Sequence, residues 1–462
     1  MNPPNWVNRT MWTGDNLDIM RGMNSESVDL IYLDPPFNSN RNYAAPIGSE
    51  AAGAAFKDTW TLDDVDLAWH GEIAEQHPAL YAIIGAARES HGKGMQSYLI
   101  MMGVRLLEMR RLLKQTGSIY LHCDPTASHY LKLLMDAVFE SGNFRTEIVW
   151  KRSSAHSDTK QGRRQHGRIH DILLFYTKSD KWTWNTIYTE YDREYVEKFY
   201  RHQEPDSGRR YRLGDITGPG GGAKGNPIYE VMGVTRFWRY SEKRMQELID
   251  QGRIVQTRPG AVPAYKRYLD EMPGVSLQDI WADVKSLSPQ AKERIGYPTQ
   301  KPLALLDRII GASSNEGDIV LDPFCGCATA CVAADRLYRQ WVGIDLSPLA
   351  AKLVRQRMQA EGPLLYDLIQ RTDIPRRTDI GEVLNYRTQK HTLFGLQEGI
   401  CNGCRVAFPF RNFTVDHIIP RSRGGTDHPD NLQLLCAACN SLKGSRTQPE
   451  LIAELRNQGI IE

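Results

Sequence analysis

Val28-Asp29-Leu30-Ile31-Tyr32-Leu33-Asp34-Pro35-Pro36-Phe37 is the stretch on which the reading of this chain turns. Its first six residues are largely apolar and rich in β-formers, as expected of a short strand buried on both faces of a parallel sheet. Asp34 and the two prolines stop it, because proline cannot donate to a central ladder. A rigid polar turn then sits at a strand's carboxyl end, the edge where open α/β sheets bind ligands. Far downstream, Asp318-Ile319-Val320-Leu321 repeats the pattern and runs into Asp322-Pro323-Phe324-Cys325-Gly326.

Working outward, residues 98–114 place Leu99, Met102, Leu106, Met109 and Leu113 at helical spacing, with Gly117 expected as the C-cap. Residues 118–123 read as a strand, and 126–140 as a helix burying Leu131, Leu134, Met135 and Val138. Residues 144–150 and 169–176 are expected to return to the same sheet. Beyond Asp322, the loop to Ala328 leads into a helix beginning near Thr329, a tight turn that lets a ligand approach backbone at a helix amino terminus. Trp341-Val342-Gly343-Ile344-Asp345 adds a strand ending in an acid, placed to accept hydrogen bonds from ribose hydroxyls. Taken alone, the glycine loop leaves a dinucleotide as a rival ligand. Alternating strands and helices predict a doubly wound α/β sheet.

At 462 residues the chain is too long for one ordinary core and predicts two or three domains. With 41% hydrophobic and 24% charged residues it has the composition of a globular protein. Neither a leader pattern nor a run of about 18–20 apolar residues is found, so the expectation is a cytoplasmic protein with no membrane partner. The net charge of +2 does not announce a nucleic acid, which leaves that case to local basic stretches. Of eight cysteines, four form two C-x2-C pairs and three (Cys325, Cys327, Cys331) crowd the start of one helix, suiting a reducing compartment and a metal better than disulfides.

Together, Asp34-Pro35-Pro36-Phe37 and Phe324-Cys325-Gly326-Cys327-Ala328 resemble the catalytic and cofactor motifs of the amino-methylating DNA methyltransferases, with Ala328 where the family's last glycine stands. The catalytic loop precedes the cofactor loop, the permuted order of the β group, so both halves must build one Rossmann-like sheet. This resemblance implies that Asp34 and the Pro35 carbonyl accept the hydrogens of an exocyclic amine, and that Phe37 stacks the extruded base. It also implies an S-adenosylmethionine site of Asp322, Phe324, Gly326 and Asp345. Thr299 and Lys301, within Tyr297-Pro298-Thr299-Gln300-Lys301-Pro302, would cover the methionine part, and Asp15, after Gly14, would reach the adenine. Adenine N6 is preferred over cytosine N4 because relatives acting on cytosine more often carry Ser at the position of Asp34.

Between these halves, residues 153–290 interleave basic groups such as Arg209-Arg210-Tyr211-Arg212 with aromatics including Trp182, Trp184, Tyr188, Tyr191, Tyr195, Tyr200, Phe237 and Trp238. Phosphate contacts and stacking on double-stranded DNA suit that mixture, and in the β group the target recognition region falls here. For any single residue, a solvated basic face over aromatic core residues is the better account of the mixture. Gly218 to Gly225 contains Lys224 without a following Ser or Thr, so it is no P-loop and reads as a flexible loop.

Near the end, Cys401-x2-Cys404 and Cys436-x2-Cys439 are separated by 31 residues, a spacing for structural zinc in a segment too small to hold together by its core alone. With Asp416-His417, Asn431 and Asn440 they resemble the ββα-metal fold of HNH nucleases. The resemblance makes His417 the general base, Asp416 and Asn440 the holders of Mg2+ or Mn2+, and Asn431 the brace of the loop. The expected organisation is a methyltransferase catalytic half at 1–152, a target recognition region at 153–290, a cofactor half at 291–362, a connector at 363–394 and the HNH domain at 395–462. The expected protein is an adenine methyltransferase fused to an endonuclease, with a restriction-modification role. The alternative is a cytosine-N4 methyltransferase whose terminal module only binds DNA. A homodimer is compatible with either.

Overall fold

The computed structural model describes residues 3–36, 42–44, 55–57, 73–74, 76–153, 164, 166–288, 290–295, 297, 299–361, 368–379 and 389–461. Phe37 lies outside them. Among the described residues, nine strands share one sheet. In chain order they are β1 (Thr10–Thr13), β2 (Val28–Leu33), β3 (Leu113–Cys123), β4 (Phe144–Lys151), β5 (His170–Thr177), β6 (Ile280–Trp281), β7 (Ile319–Asp322), β8 (Gln340–Asp345) and β9 (Ile369–Arg371). Their spatial order is β6-β4-β5-β3-β2-β7-β8-β1-β9. Only β5 runs antiparallel to its neighbours; the remaining pairs are parallel. The α/β sheet expected from the alternating pattern is therefore present, with β2 and β7 side by side at its centre.

All six residues of β2 are buried, which is why it reads as a continuous apolar run. Its one charge is matched: Asp29 Oδ2 accepts Lys114 Nζ at 2.7 Å and the Ile319 amide at 2.9 Å, tying β2 to β3 and to the start of β7. A buried carboxylate without such partners would cost several kcal/mol.

In two places the elements differ from the sequence reading. The helix Lys93–Leu112 runs straight into β3, and Gly117 lies inside that strand rather than capping the helix. The register against β2 jumps there, from Val28 opposite Leu113 to Leu30 opposite Ser118. A Cβ on Gly117 would stand 2.8 Å from Leu113 Cδ2 and 3.1 Å from the Asp29 carbonyl, so the glycine serves a close approach at a bulge. Within the expected connector, β9 pairs with β1. Beyond it, Thr378 and Asn24 exchange hydrogen bonds of 2.8 Å, and Asp379 accepts the Ser25 amide at 2.7 Å.

Thr186–Gln278 forms a separate compact unit, narrower than 153–290 because β5 and β6 belong to the main sheet. It holds a four-stranded antiparallel sheet, a hairpin and the helix Glu242–Asp250, whose N-cap Ser241 accepts the Arg244 amide. Trp238 and Tyr200 are fully buried, Trp238 in a core with Ile216, Val231, Met245, Leu248 and Ile254. The Gly218–Gly225 loop is pinned by Asn226, which donates to Pro219 and Gly221 at 3.1 and 3.0 Å.

At the carboxyl end, β10 (Phe413–His417) and β11 (Leu432–Cys436) form an antiparallel pair followed by the helix Ala437–Lys443, a ββα unit. Its core includes Phe413, Leu434, Leu435 and Leu451, and also Leu393 and Phe394 of the helix Lys390–Leu396, so the module reaches upstream of residue 395. No helix among the described residues is long and apolar enough to cross a membrane.

Gly117→Ala should destabilise the protein by about 1–3 kcal/mol through overpacking. The expected readout is a lower urea midpoint at unchanged slope; a midpoint equal to that of the unsubstituted chain would remove the close-approach account.

Candidate functional site

Parallel pairing of β2 with β7, Leu30 opposite Val320 and Ile31 opposite Leu321, brings the two distant polar turns to one sheet edge. Asp34 follows β2 there, and Asp322 ends β7. Next along the edge, β8 ends in Asp345, whose Oδ2 accepts the Gly326 amide at 2.7 Å and whose Oδ1 accepts the Ser347 amide at 2.8 Å. The Asp345 carbonyl takes the Gly14 amide at 3.0 Å, and Asn16 donates to the Pro323 carbonyl at 2.7 Å. Thus Asp15, Asp34, Asp322, Phe324, Gly326 and Asp345 converge although they are dispersed along the chain.

Tyr297 and Lys301 pack against this edge. A Cβ on Gly326 would lie 3.3 Å from the Tyr297 ring, so the ring rests against the loop. Lys301 Nζ donates to Asp34 Oδ2, and to the Thr299 carbonyl at 3.4 Å. Pro35 is buried and Pro36 half-buried. The Phe324 amide donates to Asp322 Oδ1 at 3.2 Å. Ala328, where the family loop has glycine, adopts φ +57°, a left-handed conformation that costs an alanine about 1–2 kcal/mol. Asp15 has structural duties: it caps the helix Asn16–Gly22 and pairs with buried Arg105 at 2.8 Å.

Burial sets the electrostatics of this edge. Burial, reinforced by Asp34 and Asp345, holds the Asp322 carboxyl well above the usual carboxylate range. Burial also raises Asp345, and it raises the Tyr297 hydroxyl with help from Asp345. The edge is therefore lined by crowded acids whose charged forms burial penalises.

Sequence reading missed a buried chain that starts at Tyr32, two residues before Asp34. Tyr32 Oη and His122 Nδ1 are 2.9 Å apart, and His122 Nε2 lies 3.2 Å from Asp171 Oδ2. These residues come from three strands, so no local spacing could reveal them.

In the terminal module the Sγ atoms of Cys401, Cys404, Cys436 and Cys439 all lie within 4.8 Å of one another. Cys404 and Cys436 are 4.0 Å apart, near the edge of about 3.8 Å in a tetrahedron of bonds about 2.3 Å long. The Cys436 and Gly403 amides point at Cys401 Sγ at 3.2 and 3.4 Å. Such a cluster could hold zinc. Asp416 Oδ2 is engaged by Lys443 at 2.9 Å and Gln433 at 3.0 Å, while its Oδ1 makes no hydrogen bond among the described residues. Lys443, fully buried, also donates to the His417 carbonyl at 2.6 Å. Asn440 precedes Lys443 by three residues and so shares its helix face. Asn431 accepts the Ile419 amide at 2.8 Å and donates to the Ile419 and Thr426 carbonyls at 3.0 and 2.8 Å, closing the loop. His417 Nε2 meets Asp427 Oδ1 at 2.8 Å, and Arg421 holds the same carboxylate. Asp427 had no sequence signal beyond a position in a glycine-containing loop.

Against known proteins, the DNA methylase family profile matches residues 28–356 and the HNH endonuclease profile residues 401–456. The type II methyltransferase M.EcaI of Enterobacter cloacae is 29% identical over 83% of this chain and 76% of its own length. The type III restriction-modification enzyme StyLTI Mod subunit of Salmonella typhimurium is 29% identical over 69% of this chain, which spans only 48% of that subunit. The DNA adenine methyltransferase YhdJ of Escherichia coli K12 is 24% identical over 76% of this chain and 82% of its own. Among solved structures, the DNA modification methylase TTHA0409 of Thermus thermophilus, complexed with S-adenosyl-L-methionine, aligns at TM-score 0.40 and 16% identity over 79% of this chain and 98% of that one.

Because Asp322 is held above its unfolded value, its ionisation costs the fold: the contribution of this one group to stability is largest below the ordinary carboxylate range and is lost as pH rises from there through the raised value. Asp322→Asn should therefore stabilise the ligand-free protein by about 0.5–2 kcal/mol at neutral pH and flatten that decline. Urea midpoints at about pH 5 and about pH 8 test this; a destabilised variant with an unchanged pH slope would contradict it.

Proposed function

Since this chain belongs to the DNA methylase family and carries an HNH endonuclease domain, we propose that it methylates adenine N6 in double-stranded DNA from S-adenosylmethionine and cuts DNA through its terminal module. The observation that carries this reading is the meeting of Asp34 with Asp322 and Asp345 at one strand edge.

When bound, S-adenosylmethionine supplies an electrophilic methyl group on a positively charged sulfur. Asp345 would hold its ribose, the Phe324–Gly326 backbone and Asp322 its cationic part, Thr299 its methionine end and the Asp15 turn its adenine. Asp34 Oδ1 is buried without a hydrogen-bond partner among the described residues and is the proposed acceptor. It receives one amine hydrogen of an everted base and the Pro35 carbonyl the other, which directs the nitrogen lone pair to the methyl group. The positive charge that develops on the nitrogen is met by the Asp34 carboxylate, and Pro36 would present an apolar face to the base, which the family resemblance has Phe37 stack. An aspartate rather than serine at position 34, and the adenine activity in the name of one relative, favour N6 over cytosine N4.

In the terminal module His417 is the proposed base that activates water, with Asp427 orienting its ring. Asp416 Oδ1 and Asn440 would hold Mg2+ or Mn2+, Asn431 braces the loop, and zinc on the four cysteines holds the module together. Methylation and cutting by one chain would constitute restriction-modification, and the reduced thiols fit a cytosolic location.

Incubating DNA with the protein and S-adenosylmethionine should yield N6-methyladenine on nucleoside mass spectrometry. Asp34→Ala should lose at least about 100-fold in transfer with cofactor binding retained; N4-methylcytosine instead would overturn the adenine assignment. Unmethylated plasmid should be nicked with Mg2+, and His417→Ala should slow this about 100-fold or more. Cys404→Ser should lose the zinc, about one per chain. Equal nicking by the unsubstituted protein and His417→Ala would leave the module a DNA-docking unit.

A further inference from the structure

Lys301 was expected to serve the methionine end of the cofactor, yet its ammonium is on the catalytic carboxylate. The two side chains are 10% and 17% exposed, so the pair is largely withdrawn from water, where a like-charged neighbour or a missing partner is costly. Asp34 faces such a neighbour in Asp322. Its two oxygens are also unlike: Oδ2 is gripped by Lys301, whereas Oδ1 is buried and has no hydrogen-bond partner among the described residues.

The delivery of Lys301 is itself built. Gln300 accepts the Ile295 amide at 3.0 Å and donates to the Glu293 carbonyl at 2.6 Å, and Glu293 accepts the Leu303 amide at 3.1 Å. This lacing fixes the backbone on both sides of Lys301, just before the helix Leu303–Ser313, so the ammonium arrives at one place. We propose that Lys301 is a positioning residue for methyl transfer: by holding Asp34 Oδ2 it fixes the carboxylate rotamer that turns Oδ1 toward the amine of the target base. The inference rests on the methyltransferase reading and assigns to the lysine a partner on the base side of the reaction instead of the cofactor side.

Single-turnover methyl transfer and calorimetric binding of S-adenosylmethionine, on the full chain with Lys301→Met and Lys301→Arg, separate these roles. Lys301→Met should slow transfer about 100-fold while the cofactor Kd stays within about threefold. Lys301→Arg keeps a cation within reach of Oδ2 and should recover most of the loss; should Lys301→Met not fold, Lys301→Arg with near-native transfer still supports the grip. A Kd weakened in proportion to the rate would return Lys301 to the cofactor. Full-speed Lys301→Met, or a folded Lys301→Arg as slow as Lys301→Met, would overturn the grip. No transfer by the unsubstituted protein would instead sink the methyltransferase reading on which the proposal stands.

Discussion

Hydrogen bonding between β2 and β7 is the constraint from which the rest of the site follows. These strands begin far apart in the chain, and each is wholly buried, so each must find a partner for every backbone group. Pairing them in parallel satisfies the ladder and sets their carboxyl ends side by side. Asp29 reinforces the register by accepting the Ile319 amide at the first residue of β7. A slip by one residue would turn buried side chains to the wrong face and separate the two acid turns.

What assembles at that edge includes acids that are costly to ionise. Asp322 and Asp345 are desolvated, near one another and near Asp34, and their charged forms are penalised in the unliganded fold. Lys301 compensates Asp34 directly. On the proposed reading the cofactor's own charge compensates the others, so part of the binding energy comes from relief of repulsion that folding has already installed. This is a familiar form of trade between stability and function at a site.

The terminal module solves a different problem. With few apolar residues it relies on a small core, a four-cysteine cluster that could hold zinc, and one buried ammonium. Lys443 joins the end of β10 to the helix by contacting both Asp416 and the His417 carbonyl. Asp416 therefore carries a structural charge pair on one oxygen while the other makes no hydrogen bond among the described residues, and removing its charge would take from buried Lys443 the counter-ion it has there.

Local signals were strong wherever one segment carries its own pattern. Alternating apolar strands and helices, the Asp34-Pro35-Pro36 stop and the paired C-x2-C spacing disclosed the α/β sheet, the polar edge and the cysteine cluster. Gly117 was misread because a glycine near a helix end suits a cap as well as a bulge, and only the proximity of the Asp29 carbonyl distinguishes them. β9 was hidden by its shortness and by the charged, proline-containing segment around it. The partnerships were not legible at all: Lys301 with Asp34, His122 with Asp171, Asp427 with His417 and Lys443 with Asp416 join residues separated by a loop, a strand or half the chain. Sequence by itself determined which residue types stand at the ends of which strands. Tertiary structure decided which charges face one another, because strand order and burial are set by packing of the whole sheet and no spacing along the chain encodes them.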